Sequence, residues 1–294
     1  MRITIVTPPS QNIEPMVPIF EKMGVKVDVN SINPKSDFIL TTTQVWIEQV
    51  DAFHRMFPNI PIVSCVLDFY KTVWTAPNPH NYNWALYKHY LNKSLELWCL
   101  SNEVITRMEE EGVNTKKCKL MKIWARFFEY KGEIKDKRYV LNPIRPLKWD
   151  KNYGWLSRAC KELDIPLLEP RHKLSEEEFQ KAIAECSFMC CELHEASTGG
   201  LTLMEGLNMG KPSIVSNSKY MGAIDYLGDF GIYFDDNSYE NFKQTIKETW
   251  ENTPVLDLKK CKQYCAAHPS IEDNVKFMIE RMNILKGEMG EVNE

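Results

Sequence analysis

The 294 residues include 44% hydrophobic and 26% charged side chains, with a net charge of -4 and a pI near 6.0. A chain of this length buries one large core or, as expected here, two of about 150 residues each. The charge balance excludes the global basic field that holds a dedicated nucleic-acid binder on its polymer, and no apolar run approaches membrane-spanning length.

The N-terminal MRITIVTPPS is too short in its apolar part for a signal peptide, so the expected location is the cytoplasm; RITIVT itself reads as a strand. IEPMVPIFEKMG has helical spacing and ends at Gly24, and VKVDVN, DFILTTT and IPIVSCVLD read as strands, with the helical QVWIEQVDAFHRMF between the last two. NWALYKHYLNKS is helical and LELWCL is a strand. SNEVITRMEEEG is a helix opened by Ser101 and closed at Gly112. Alternation of this kind predicts parallel strands with crossover helices, in a first domain spanning residues 1–132.

The alternation restarts after the charged connector EYKGEIKDKR. YVLNPI, IPLLEP, SFMCCEL, KPSIVSN and GIYFDD are strand-like. NYGWLSRACKELD, SEEEFQKAIAEC opened by Ser175, LTLMEGLNMG stopped by Gly210, YENFKQTIKETWEN and SIEDNVKFMIERMNILKG are helical. The expectation is a second doubly wound domain, 133–294, and a cleft between the two. Nine cysteines without a CxxC pair read as reduced, buried thiols, and Cys261 and Cys265, four apart, have the spacing of one face of a half-buried helix.

Gly199 and Gly200 follow a strand and precede a helix, which offers bare backbone N–H groups at a helix N-terminus to an anion. Glu205, about one and a half turns further on, is placed to accept two ribose hydroxyls. Together they describe a nucleotide site; close helix packing and a solvated glutamate are the plain alternatives. Asp68, at the end of IPIVSCVLD, is a candidate general base or orienting group, or a turn cap. After it, FYKTVWTAPNPHNYNWALYKHY holds seven Phe, Trp or Tyr residues in twenty-two. Tyr70, Trp74 and Trp84 suit stacking on sugar rings or bases, unless they are core, and Lys71 and Lys88 are candidates to meet a phosphate.

STGGLTLMEGLNMGKPSIVS resembles the signature of retaining GT-B glycosyltransferases of the glycogen-synthase-like and lipopolysaccharide-transferase-like family four, with Gly200, Leu201, Glu205, Gly210, Pro212 and Ile214 in register. LELWCLSNEVITRMEEEGV and AAHPSIEDNVKFMIERM are similar to that family's strand and helix closing the first domain and to its returning C-terminal helix, here about 271–286. The resemblance implies an α/β GT-B fold of two Rossmann-like domains facing across a cleft. It also implies sugar transfer from a nucleotide-sugar donor, such as a UDP- or GDP-sugar, to an acceptor hydroxyl held by the N-terminal domain. In such enzymes an Arg and a Lys hold the diphosphate, and NPIRPLKWDKN supplies Arg145 and Lys151, with Lys148 nearby; Ser197, Thr198, Gly199, Gly200, Leu201 and Glu205 complete the donor set. The family's first glutamate falls at Ser197, leaving Glu195 as the nearest carboxylate for the sugar, and its first glycine-rich loop is replaced by TPPSQN, so Pro9 and Ser10 shape that acceptor wall. Its first-domain histidine is absent. The short chain is reminiscent of phage or giant-virus enzymes, with a glycan acceptor favoured over modified DNA. A sugar-nucleotide epimerase and an inactive nucleotide-sugar-binding subunit are the competing readings.

No cofactor and no metal is expected. The chain contains no Asp-x-Asp, and Asp235–Asp236 reads as a solvated turn before a helix opened by Asn237 or Ser238.

Overall fold

The computed structural model describes residues 1–7, 16–41, 47–66, 83–121, 130–132, 134–143, 151–169, 174–194 and 200–291. They fall into two units, Met1–Lys122 with Pro269–Glu294, and Ile123–His268.

In the first unit β1 (Arg2–Val6), α1 (Val17–Lys22), β2 (Lys26–Val29), β3 (Phe38–Thr41), α2 (Ile47–Met56), β4 (Ile62–Val66), α3 (Trp84–Lys93), β5 (Glu96–Cys99), α4 (Asn102–Glu110) and β6 (Cys118–Leu120) follow in turn. The sheet order is β2-β1-β3-β4-β5-β6, parallel throughout. β3, β4 and β5 are buried at every position, as strands covered on both faces must be. The Ser101 hydroxyl accepts from Val104 N at the start of α4. Gly24 and Gly112, both at positive φ, close α1 and α4. The edge strand β6 was not anticipated: Cys118, Lys119 and Leu120 are half-buried or exposed and leave no apolar run to read.

The second unit runs β7 (Val140–Leu141), α5 (Trp155–Glu162), β8 (Leu167–Leu168), α6 (Glu176–Glu185), β9 (Phe188–Cys191), α7 (Gly200–Asn208), β10 (Ser213–Ser216), α8 (Ile224–Leu227), β11 (Gly231–Phe234), α9 (Tyr239–Glu251) and α10 (Leu258–Ala266). Its sheet is also parallel, in the order β11-β10-β9-β7-β8. Ser175 and Glu178 form a reciprocal capping box at α6, and Ser238 caps α9. The short α8 and α10 were not anticipated as elements. Cys261 and Cys265 do lie buried on one face of α10, as their spacing requires. Cys186, Cys190 and Cys191 are buried thiols as well. Burial pushes the Cys186 thiol up to about 12.

The C-terminal helix α11 (Ile271–Glu291) belongs to the first unit. It buries Val275, Met278, Met282 and Leu285. Phe277 meets the wholly buried Trp98 edge-on, with centroids 6.0 Å apart. The Trp98 indole donates to Glu96 Oε2 at 2.8 Å, and Arg281 grips the same carboxylate through Nε, at 3.0 Å, and Nη2. Lys286 adds a 2.6 Å pair with Asp37. Hydrogen bonds from Arg281 compensate the burial of Glu96; without them a carboxylate would sit in the core with one indole donor. Arg281→Ala is therefore expected to destabilise the protein by about 2–3 kcal/mol, read as a lowered urea midpoint at unchanged slope, whereas Lys286→Ala at the exposed rim should cost no more than about 1 kcal/mol.

Candidate functional site

In the second sheet the strand order reverses between β7 and β9, since β8 lies on one side and β10 and β11 on the other. Ligands of open parallel sheets bind outside the strands' C-terminal ends at such a reversal. The connections leaving β7 and β9 span residues 142–154 and 192–199, and they carry Arg145, Lys148 and Lys151 on one side and the glycine turn on the other.

Glu192, directly after β9, is 3% exposed. Its two carboxylate oxygens accept from the backbone N–H of Gly154, at 3.0 Å, and of Leu156. A buried anion is thereby matched to the positive end of α5. Gly154 has φ +84°, a turn that only glycine makes without strain, and it lets the chain enter α5 directly against the Glu192 carboxylate. The N-terminus of α5 thus holds an anion of the protein's own, and α7, starting at Gly200, is the helix that opens at the end of β9. It lies close to its strand because Gly206 faces Met189: a Cβ there would come within 1.9 Å of Met189 Cε. Gly210, at φ +73°, ends α7, and Cys265 of α10 donates to Met204 O behind it. Glu205 is half-buried on this helix.

The reading of Asp235–Asp236 as a solvated turn is corrected. Asp235 is exposed, but Asp236, two residues beyond β11, is 5% exposed. Its Oδ2 receives Lys151 Nζ at 3.1 Å and also pairs with His194 Nδ1. The difference arises because strand alternation continues past Phe234 and turns Asp236 inward, toward Lys151 and His194. Tyr220, from the connection after β10, meets the His194 ring edge-on with centroids 5.6 Å apart, and Lys219 Nζ lies 4.8 Å from the centre of the Tyr220 ring. Burial works to raise the Asp236 carboxyl, but the hydrogen bonds and charges of Lys151 and His194 outweigh it and leave it below its ordinary value.

Of the residues expected at the site, Lys151, Gly200, Leu201, Glu205 and Trp84 are among the described residues, and Lys151 and the start of α7 belong to the connections that flank the β7/β9 reversal. Pro9, Ser10, Asp68, Tyr70, Trp74, Arg145, Lys148, Glu195, Ser197, Thr198 and Gly199 lie outside them. Trp84, at the start of α3, is half-buried against the first unit's core and Tyr87. Lys88 Nζ donates to Glu111 O at 3.1 Å and pairs with that residue's carboxylate at 4.0 Å. Glu192 and His194 are not expected at the site from the sequence, and Asp236 reads there as part of a solvated turn. The available signal was their placement within three residues of the ends of β9 and β11, where a parallel sheet presents its ligand groups.

No family model matches the chain and no curated protein matches its sequence. Solved structures do match. Sucrose-phosphate synthase from Thermosynechococcus elongatus superposes with a TM-score of 0.76 at 9% identity, over 98% of this chain and 100% of that one. The chain has the GT-B fold. The expected two-sheet GT-B architecture is thus what the structure shows. Anabaena HepE in complex with UDP and glucose matches at TM-score 0.66 and 12% identity, over 96% of this chain and 99% of that one. The lipopolysaccharide outer core galactosyltransferase WaaB matches at 0.66 and 10% identity, with 96% and 99% covered. No helix among the described residues is long and apolar enough to cross a membrane.

Removing Asp236 tests the electrostatics of this GT-B site. A carboxyl depressed in the folded state contributes stability that is present above its unfolded value and lost as pH falls through its folded value. The stability gap between the wild type and Asp236→Asn is therefore expected to be widest near neutrality and to close in acid, measured by denaturant titration across pH. Glu192→Ala, which leaves the buried Leu156 N–H and the half-buried Gly154 N–H without that acceptor, is expected to cost about 2–3 kcal/mol at neutral pH and to speed amide exchange at both.

Proposed function

We propose that the protein is a glycosyltransferase that moves a sugar from a nucleotide-sugar donor, with UDP-sugars first in line, to an acceptor hydroxyl. The observation that carries this reading is the β7/β9 reversal, where the connection holding Lys151 and the N-terminal end of α7 occupy adjoining strand ends. Solved structures of the same fold that carry UDP or UDP-glucose support the choice of donor.

On this reading the N–H groups at Gly199 and Gly200 and the cations Arg145 and Lys151, assisted by Lys148, take up charge developing on the departing nucleoside diphosphate. Ser197, Thr198 and Leu201 line the same turn, Glu205 accepts the ribose hydroxyls and Glu195 reaches the sugar. Asp68 takes the acceptor proton. Pro9, Ser10, Tyr70 and Trp74 form the acceptor side in the N-terminal unit, while Trp84 supports the core. A glycan acceptor fits the net charge of -4 better than a DNA polymer does. Retention of anomeric configuration follows the family resemblance.

Transfer is metal-independent on this reading. The chain has no Asp-x-Asp, and the Asp236 carboxylate, already neutralised by Lys151, is a poor partner for a hard dication.

Arg145→Ala and Lys151→Ala are each expected to weaken nucleoside-diphosphate binding by about tenfold or more, measured by calorimetry. Asp68→Asn should spare donor affinity and depress turnover. Transfer of radiolabelled sugar should persist in excess EDTA; loss restored by Mn²⁺ or Mg²⁺ would overturn the leaving-group assignment. Turnover of donor with no acceptor product would favour an epimerase, and tight binding without turnover a binding subunit.

A further inference from the structure

His194, Asp236 and Lys151 come from three separate segments: the connection after β9, the one after β11 and the one before α5. Both nitrogens address one atom, Asp236 Oδ2. The His194 side chain is 18% exposed and the Asp236 side chain 6%. While His194 is neutral, the charges of Lys151 and Asp236 offset one another, and the cluster's pull on a diphosphate is weakened. Protonating the ring makes the cluster cationic without breaking the Nδ1–H···Oδ2 hydrogen bond, because that proton is present in both states of the ring.

We propose that binding of the donor diphosphate takes up a proton on His194, so that the His194–Asp236–Lys151 cluster ties donor affinity to pH. This rests on the donor reading above, in which Lys151 lies at the phosphates. His194 stands six residues before Gly200, on the connection that leads into α7. Anionic phosphates brought to Lys151 and the start of α7 favour the imidazolium, and by reciprocity the imidazolium favours the phosphates.

Among the described residues, charged and titratable groups reach the ring from several elements. After β11 there is Asp236, which is held below its ordinary value and stays anionic across the range where imidazole titrates. Before α5 there is Lys151, and after β10 there are Tyr220 against the ring and Lys219 behind it. On the ring's own side of β9, the Glu192 carboxylate is turned to Gly154 N and Leu156 N. Of the groups set against the ring, the imidazole is the one whose ordinary range spans neutrality.

The test uses the full chain and UDP-glucose, whose phosphates do not titrate near neutrality. Calorimetry at about pH 6.5, in two buffers of different ionisation enthalpy, should show net proton uptake on binding to the wild type. The dissociation constant should rise about five- to tenfold between about pH 6 and about pH 8. His194→Gln, which keeps an N–H for Asp236, should abolish the uptake and flatten the profile; Asp236→Asn should move the profile's midpoint to lower pH, since the carboxylate no longer favours the imidazolium. Binding without proton uptake in the wild type, or uptake that survives in His194→Gln, overturns this inference alone. Failure of UDP-glucose to bind at any pH overturns the donor reading and this inference with it.

Discussion

A carboxylate buried at the end of a strand has to find donors, and in the second unit the donors available to Glu192 are the first N–H groups of α5. That requirement fixes where α5 begins. It also constrains Lys151, which lies only three residues ahead of the left-handed turn at Gly154. Glu192 therefore ties the connection leaving β7 to the strand that feeds the glycine turn. The relative position of the lysine and the α7 terminus depends on a contact made by neither.

Two internal carboxylates act on the same stretch from its two ends. Glu192 holds the backbone after Lys151, and Asp236 holds the lysine's ammonium at 3.1 Å. A long, flexible side chain with three donors loses much of its rotamer freedom when one is occupied. Held in advance, such a lysine needs less ordering when an anion arrives, which is the physical content of preorganisation. The same pairing lowers its electrostatic pull at neutral charge on His194, so orientation and attraction are set by different groups.

Strands β3, β4, β5, β9 and β10 were legible because burial on both faces leaves short, mostly apolar segments of strand length. Helix ends marked by Ser101, Ser175 and Gly210 were legible because caps act through local backbone geometry. β6 was not, since an edge strand with exposed Lys119 and Leu120 is defined by pairing with β5 alone. At the site, the glycine pair ahead of a helix could be read from local spacing, and Lys151 as a candidate through the family resemblance alone. Asp236 and His194 could not: they are 42 residues apart, and their meeting depends on β9, β10 and β11 lying in that order. A DD pair before a helix looks solvated until the tertiary structure turns one member inward.

The first unit is discontinuous, with Pro269–Glu294 completing what Met1–Lys122 begins, while the second unit is one unbroken segment. On the ribosome this sets an order of assembly. Glu96 emerges 185 residues before Arg281, an interval of roughly 10–40 s at ordinary elongation rates. Throughout it Trp98 lacks the Phe277 ring that covers it in the finished protein. The whole of the second unit is synthesised within that interval, so it can reach its final form while the first unit still waits for its last helix.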